Sequence, residues 1–208
     1  MNLEIIRLEK TQISQAAETL MDAFRIEWEN QEEVQEEEDF LLQILFQSTT
    51  VNDDEENYRS YWEAFLRYSQ PLRHVYTTPE IKGVAAWIPP LGYPLDIWRC
   101  LEVGYYWGLV NSLSFFSDIY YIQNLKQPYW YLFALGVSKD YQRQGIGSAL
   151  IQPILKRASC DGLPCHLLTH TEEGVKFYES NGFEVIKKFE NPLKLEKTVT
   201  CWAMKKEP

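Results

Sequence analysis

Between Leu132 and Leu150 the chain passes from an apolar strand-like stretch, Leu132–Val137, through a polar loop, Ser138–Tyr141, and a glycine-bearing turn, Gln142–Gly147, straight into an amphipathic helical pattern. This order constrains the fold more than any other feature. A strand feeding a helix across a glycine turn commits this part of the chain to an α/β arrangement. It also aims the helix N-terminus, with its unpaired N–H groups and partial positive charge, at the turn. An anion such as phosphate is the natural occupant. Gly145 and Gly147 carry no side chains, so the backbone there can approach such a ligand closely.

Spacing separates three phosphate-binding arrangements. A Walker loop needs Lys followed by Ser or Thr after its last glycine, and here Ile146 (after Gly145) or Ser148 (after Gly147) stands in the place of the Lys. A dinucleotide fingerprint needs G-x-G-x-x-G directly after the strand, and Leu150 stands at its third glycine. No acidic residue closes the next strand-like segment, Cys165–Thr169. The third arrangement fits: Gln142-x-x-Gly145-x-Gly147 after an L-x-V strand end resembles the acyl-CoA-binding motif of the GNAT superfamily of N-acetyltransferases. The resemblance continues through Glu173–Phe183, which is similar to that family's last helix and its Y-E-x-x-G-F ending, and covers roughly Trp130 to Val185.

The resemblance implies a mixed α/β fold with a mostly antiparallel central sheet flanked by helices. That sheet is splayed where acyl-CoA enters. It implies an acetyl-CoA cosubstrate whose pyrophosphate meets backbone N–H groups of Gln142, Arg143, Gln144, Gly145, Ile146, Gly147 and Ser148, with Arg143 adding a fixed charge. It implies a pantetheine arm lying along Leu135, Gly136 and Val137, where a backbone N–H polarises the thioester carbonyl. A glycine inside a strand, as at Gly136, marks a bulge, a close ligand approach or tight packing. Tyr178 matches the family's tyrosine general acid for the departing thiolate. Thr171, seven residues earlier, stands where family members often place an asparagine. The base that frees the attacking amine is left open among a glutamate-held water, His170 and a tyrosine.

The expected activity is therefore transfer of acetyl from acetyl-CoA to a primary amine, by direct attack in a ternary complex. The alternative is a noncatalytic acyl-CoA-binding domain that keeps the phosphate turn. The acceptor is a small-molecule or peptide amine, with neither nucleic acid nor membrane as partner.

Composition supports a single globular domain over 1–208: 45% of residues are hydrophobic and 14% aromatic. Without a signal-like N-terminus or an apolar run of spanning length, the sequence reads as cytoplasmic. No C-x-x-C pair stands among Cys100, Cys160, Cys165 and Cys201, which are expected to be reduced thiols. His166 and His170, four apart on a strand, would sit ~13 Å from each other, too far to share a metal, and none is expected.

The net charge of −10 is concentrated. Glu27–Asp39 holds eight acidic residues and Asp53–Glu56 four more, leaving 18 acidic against 20 basic residues elsewhere. This argues against a nucleic-acid surface. The acidic stretch reads as part of a helical insert at about 27–70, either a solvated face or an attraction for cationic acceptors.

Hydrophobic periodicity orders the rest. A strand is expected at Leu3–Leu8, followed by a helix carrying Ala17, Leu20 and Phe24. Helical patterns recur at Phe40–Phe46 and Tyr58–Tyr68. Arg73–Thr77 and Ile81–Ile88 form a hairpin around Pro79. An aromatic helix spans Leu95 to about Tyr121. After the glycine-turn helix, stopped at Asp161-Gly162, come a strand at Pro164–Thr169, a short helix capped by Thr171, and closing strands at Phe183–Phe189 and Thr198–Lys205.

Overall fold

The computed structural model describes residues 3–24, 55–90, 128–192 and 198–208. The expected helices at 40–46 and 95–121, the acidic run at 27–39 and Cys100 lie outside them.

The described elements are β1 (Ile6–Arg7), α1 (Ile13–Phe24), α2 (Glu55–Ser69), β2 (Val75–Thr77), β3 (Gly83–Ile88), β4 (Trp130–Val137), α3 (Ile146–Asp161), β5 (Cys165–Thr169), α4 (Glu172–Ser180), β6 (Glu184–Pro192) and β7 (Thr198–Lys206). Short 3-10 turns precede α1, follow α2 and, at Lys139–Tyr141, follow β4. The seven strands form one sheet in the order β1-β2-β3-β4-β5-β7-β6. Only β4–β5 is parallel; every other pair is antiparallel. The expected first strand shrinks to two residues, paired with Tyr76 and Thr77.

Each face of the sheet carries its own core. Ala16, Ala17 and Leu20 of α1 meet Trp62, Phe65 and Leu66 of α2, and both helices pack on Val84, Ala86 and Ala134. The expected insert at 27–70 thus ends in a helix whose buried face belongs to the core. On the opposite face, Leu150, Ile151 and Ile154 of α3 pack against Ala85, Trp87 and Leu132. Burying each of these three α3 side chains completely is worth about 1.5–3 kcal/mol. Pro153 lies inside α3 and removes one hydrogen bond, yet the helix runs on to Asp161. There Gly162 ends it in the left-handed conformation, φ 66°, with the Leu163 N–H donating to the Ala158 carbonyl at 2.9 Å.

Two glycines in neighbouring strands let these layers close. A Cβ on Gly83 would stand 2.9 Å from Leu150 Cδ1 on the α3 side. One on Gly136 would stand 2.9 Å from both Leu20 and Ala23 on the α1 side. The sheet is therefore thinned at one place from both faces, directly beneath the end of β4.

Candidate active site

β4 is held differently along its two edges. Toward β3 its pairing continues to Val137. Toward β5 the register is Trp130–Cys165, Tyr131–His166 and Leu132–Leu167, and it stops there. β5 itself continues to Thr169, but alongside β7. Beyond Phe133 the two parallel strands part, and among the described residues the β4–β5 ladder does not extend along Ala134–Val137. A strand edge of this kind offers main-chain donors and acceptors to an extended ligand.

The parting coincides with a bulge. Ala86 faces Ala134 and Trp87 faces Leu132, so Phe133 is the extra residue. A bulge ends regular pairing and re-phases the strand. Trp130 and Leu132 face α3, whereas beyond the bulge Leu135 and Val137 do so, and Gly136 turns toward α1. The irregularity is thus three residues upstream of Gly136, and packing against α1 accounts for the missing side chain at that glycine.

The loop after β4 is tied down on several sides. The Ser138 N–H donates to the Lys82 carbonyl at 3.0 Å. Gln142 Nε2 donates to the Val137 carbonyl at 3.0 Å, and Gln144 Nε2 to the Asp140 carbonyl at 3.2 Å. The side chains of Gln142 and Gln144 therefore brace the loop, and Arg143, with φ 59°, and Gly145, with φ 80°, turn the backbone through the left-handed region. Residues 141–145 are exposed. Gly145 caps α3 without a side chain, and the first helical bond runs from the Ala149 N–H to the Gly145 carbonyl at 3.0 Å. The N–H groups of Ile146, Gly147 and Ser148 therefore lie ahead of the helical ladder, the geometry that receives an anion. Gly147 has a second reason to be glycine, since a Cβ there would sit 3.2 Å from the Phe177 ring.

α4 packs beside the start of α3, with Phe177 and Tyr178 against the same core. Thr171 caps it, accepting the Gly174 N–H at 3.0 Å, with Glu172 and Glu173 in the favourable first turn. The departure from asparagine at this position therefore serves the helix start. Tyr178 is half-buried, its ring edge-on to Phe177 and Phe183 at 5.1 and 5.8 Å. Burial pushes its phenol above the ordinary tyrosine value.

A polar cluster fills the sheet face turned away from α3. Tyr131, which the sequence analysis did not single out, is buried there, and its phenol is raised first by burial and then by the neighbouring Tyr129, Tyr178 and Cys201. Tyr129 meets the His166 ring edge-on at 5.1 Å. Cys201 Sγ lies 3.2 Å from His170 Nδ1. Burial lowers His166 and His170 to about 4 and raises Cys201 to about 11. The Cys201–His170 pair is accordingly uncharged at neutral pH, the reverse of an activated thiolate. The alternation of Tyr129, Tyr131 and Phe133 against Trp130 and Leu132 is the signal in the sequence that separates this polar face from the apolar one. Among the described residues no group of three or more His, Cys, Asp and Glu is placed to hold a metal ion, and no helix is long and apolar enough to cross a membrane.

Comparison with known proteins agrees with this geometry. Residues 104–185 match the model of the acetyltransferase (GNAT) domain. N-alpha-acetyltransferase 60 of Xenopus tropicalis is 36% identical over 59 residues, 26% of this chain and 24% of that protein, so the matched part spans about a quarter of the relative. An uncharacterized N-acetyltransferase of Schizosaccharomyces pombe is 26% identical over 193 residues, 85% of this chain and 72% of its own. A Corynebacterium glutamicum structure described as histone acetyltransferase HPA2 and related acetyltransferase superposes with a TM-score of 0.65 at 19% identity, covering 100% of this chain and 97% of that one. Residues 104–185, the segment that resembles the acetyltransferase (GNAT) domain, thus contain the splayed parallel pair and the glycine turn at a helix start, and the fold of the chain is similar to that of the Corynebacterium structure.

Proposed function

We propose that the protein transfers the acetyl group of acetyl-CoA to a primary amine by direct attack in a ternary complex. The observation that supports this reading is the proximity of two features beside the open edge of β4: the uncapped start of α3, against which Phe177 packs, and the neighbouring half-buried Tyr178. The N–H groups of Ile146, Gly147 and Ser148, with the backbone of the preceding turn, take the pyrophosphate, and Arg143 adds its charge. The pantetheine arm lies along Leu135–Val137, whose free edge supplies an N–H toward the thioester oxygen as negative charge develops there.

The neutral amine attacks the thioester carbon, and the C–S bond breaks as the tetrahedral intermediate collapses. The sulfur leaves with the bonding electrons, and the Tyr178 hydroxyl donates a hydrogen bond or proton to it. A phenol raised by burial stays protonated throughout the physiological range, so the donor is always loaded. The amine's proton goes to water or to a neutral imidazole, and both His166 and His170 are unprotonated at neutral pH. The uncharged Cys201–His170 pair favours this direct route over an acyl-cysteine one.

The relative named N-alpha-acetyltransferase 60 makes a peptide α-amine the first acceptor to try, ahead of small amines. The test is release of CoA thiol from acetyl-CoA with a panel of peptides, polyamines and arylalkylamines, with mass detection of the acetylated product. An acceptor-dependent rate is the expected result. Tight acetyl-CoA binding with no turnover on any amine would instead favour the noncatalytic domain.

A further inference from the structure

The last turn of α1 touches the coenzyme strand and its loop at three consecutive stations. Leu20 and Ala23 close on Gly136, where any Cβ would come within 2.9 Å of them. The Asp22 carboxylate accepts a hydrogen bond from the Ser138 hydroxyl. The same Oδ2 accepts the Lys139 N–H at 3.0 Å. An acid in the last turn of a helix opposes the helix dipole, so nothing in α1 itself favours Asp22. Its partners lie across the chain, at the first two residues between β4 and the phosphate turn.

We propose that Asp22 is a positioning residue for the coenzyme. It fixes the start of the loop so that the turn at Gln142–Gly147 stands ready for the pyrophosphate. The proposal rests on the assignment of that turn to acetyl-CoA. The physical reason is preorganisation. A loop whose first residues are clamped loses less freedom when the ligand binds. Hydrogen bonds to an ionised acceptor are stronger than neutral ones, and Asp22 makes two with one oxygen. Other ties include the Ser138 N–H to Lys82 and Gln142 Nε2 to Val137. They hold the backbone from the sheet side; the Asp22 carboxylate holds it from the helix side.

The clamp also reaches beyond the coenzyme. Phe24, two residues after Asp22, stacks on Trp62 of α2 at 5.0 Å with an 18° interplanar angle, and Glu18 pairs with Arg59 at 2.7 Å. A loop set by Asp22 is therefore set by the packed α1–α2 pair, not by an isolated side chain.

Calorimetric titration of CoA into full-length Asp22→Ala, Asp22→Asn and Ser138→Ala variants tests the proposal. Asp22→Ala should raise the dissociation constant about tenfold, and Asp22→Asn, which keeps one acceptor oxygen, by less. Ser138→Ala should produce a smaller loss that is absent in the Asp22→Ala background, because both changes break the same contact. With saturating acetyl-CoA and an acceptor, kcat should stay within about twofold while KM for acetyl-CoA rises. If Asp22→Ala fails to fold, Asp22→Asn and Ser138→Ala decide alone. Parental affinity in folded variants would overturn the positioning role while leaving the coenzyme assignment intact. Absence of CoA binding by the parent would overturn both.

Discussion

The two walls of the β4–β5 cleft are built on opposite principles. The wall proposed to take the coenzyme is main chain: a glycine turn, a helix start and an open strand edge, exposed and braced by side chains that tie the loop together. The other wall is side chain: Tyr129, Tyr131, His166, His170 and Cys201, from three strands and their ends and mostly buried, with Tyr178 of α4 near enough to Tyr131 to raise its phenol. Backbone recognition needs a local conformation, which a few residues can dictate. The polar cluster needs a register, which only the assembled sheet supplies. The comparison teaches that binding and chemistry should fail separately when the two walls are altered.

The largest expected effect falls on the side-chain wall. Tyr178→Phe removes one hydroxyl and leaves the edge-on packing with Phe177 and Phe183. Turnover should fall by ~10²–10⁴-fold, the range for a positioned proton donor, with calorimetric CoA affinity unchanged. Unaltered turnover would make Tyr178 a packing residue and break the contrast.

On the backbone wall, Gly147→Val should weaken CoA binding about tenfold or more. It should also destabilise the fold by ~1–3 kcal/mol, because the new side chain meets Phe177. Chemical denaturation beside calorimetry separates the two losses. Gly145→Ala sharpens the distinction. No atom lies within 4 Å of its Cβ, so only the left-handed φ is penalised, by ~1 kcal/mol.

Acid should loosen the protein before it touches the turn. The chain's three histidines, His74, His166 and His170, all titrate near 4 in the fold, below the ordinary value of 6.5. Between these pH values the unfolded chain binds more protons than the folded one, so stability falls as pH drops from about 6.5 to about 4. Melting followed across that window should show the decline. His170→Gln should make it shallower. A melting temperature flat from pH 7 to 4 would contradict the burial of these rings.

The sequence made the glycine turn and its flanking elements legible because they are local. Gly145 and Gly162 sit where the backbone turns left-handed, and Thr171 caps the helix it was expected to cap. The hairpin and the closing strands follow from alternation and turn residues. Three things were not legible. The bulge at Phe133 carries no glycine, and its position depends on pairing with β3. Gly136 left a bulge, a ligand approach and tight packing open, and the residues that pack on it, Leu20 and Ala23, lie more than a hundred residues away in the chain. Tyr131 met His166 and Cys201 only through the strand order β4-β5-β7, which no spacing in the chain encodes.

The central claim is that main-chain groups at the start of α3 hold the coenzyme through its pyrophosphate. It is tested most directly by comparing acetyl-CoA with S-acetylpantetheine, which carries the same thioester and no pyrophosphate or nucleotide, in calorimetric titrations of the full-length protein. The account predicts that acetyl-CoA binds at least about a hundredfold more tightly and that Gly147→Val removes most of the difference. Equal affinity for the two ligands, or a difference that survives Gly147→Val undiminished, would contradict it.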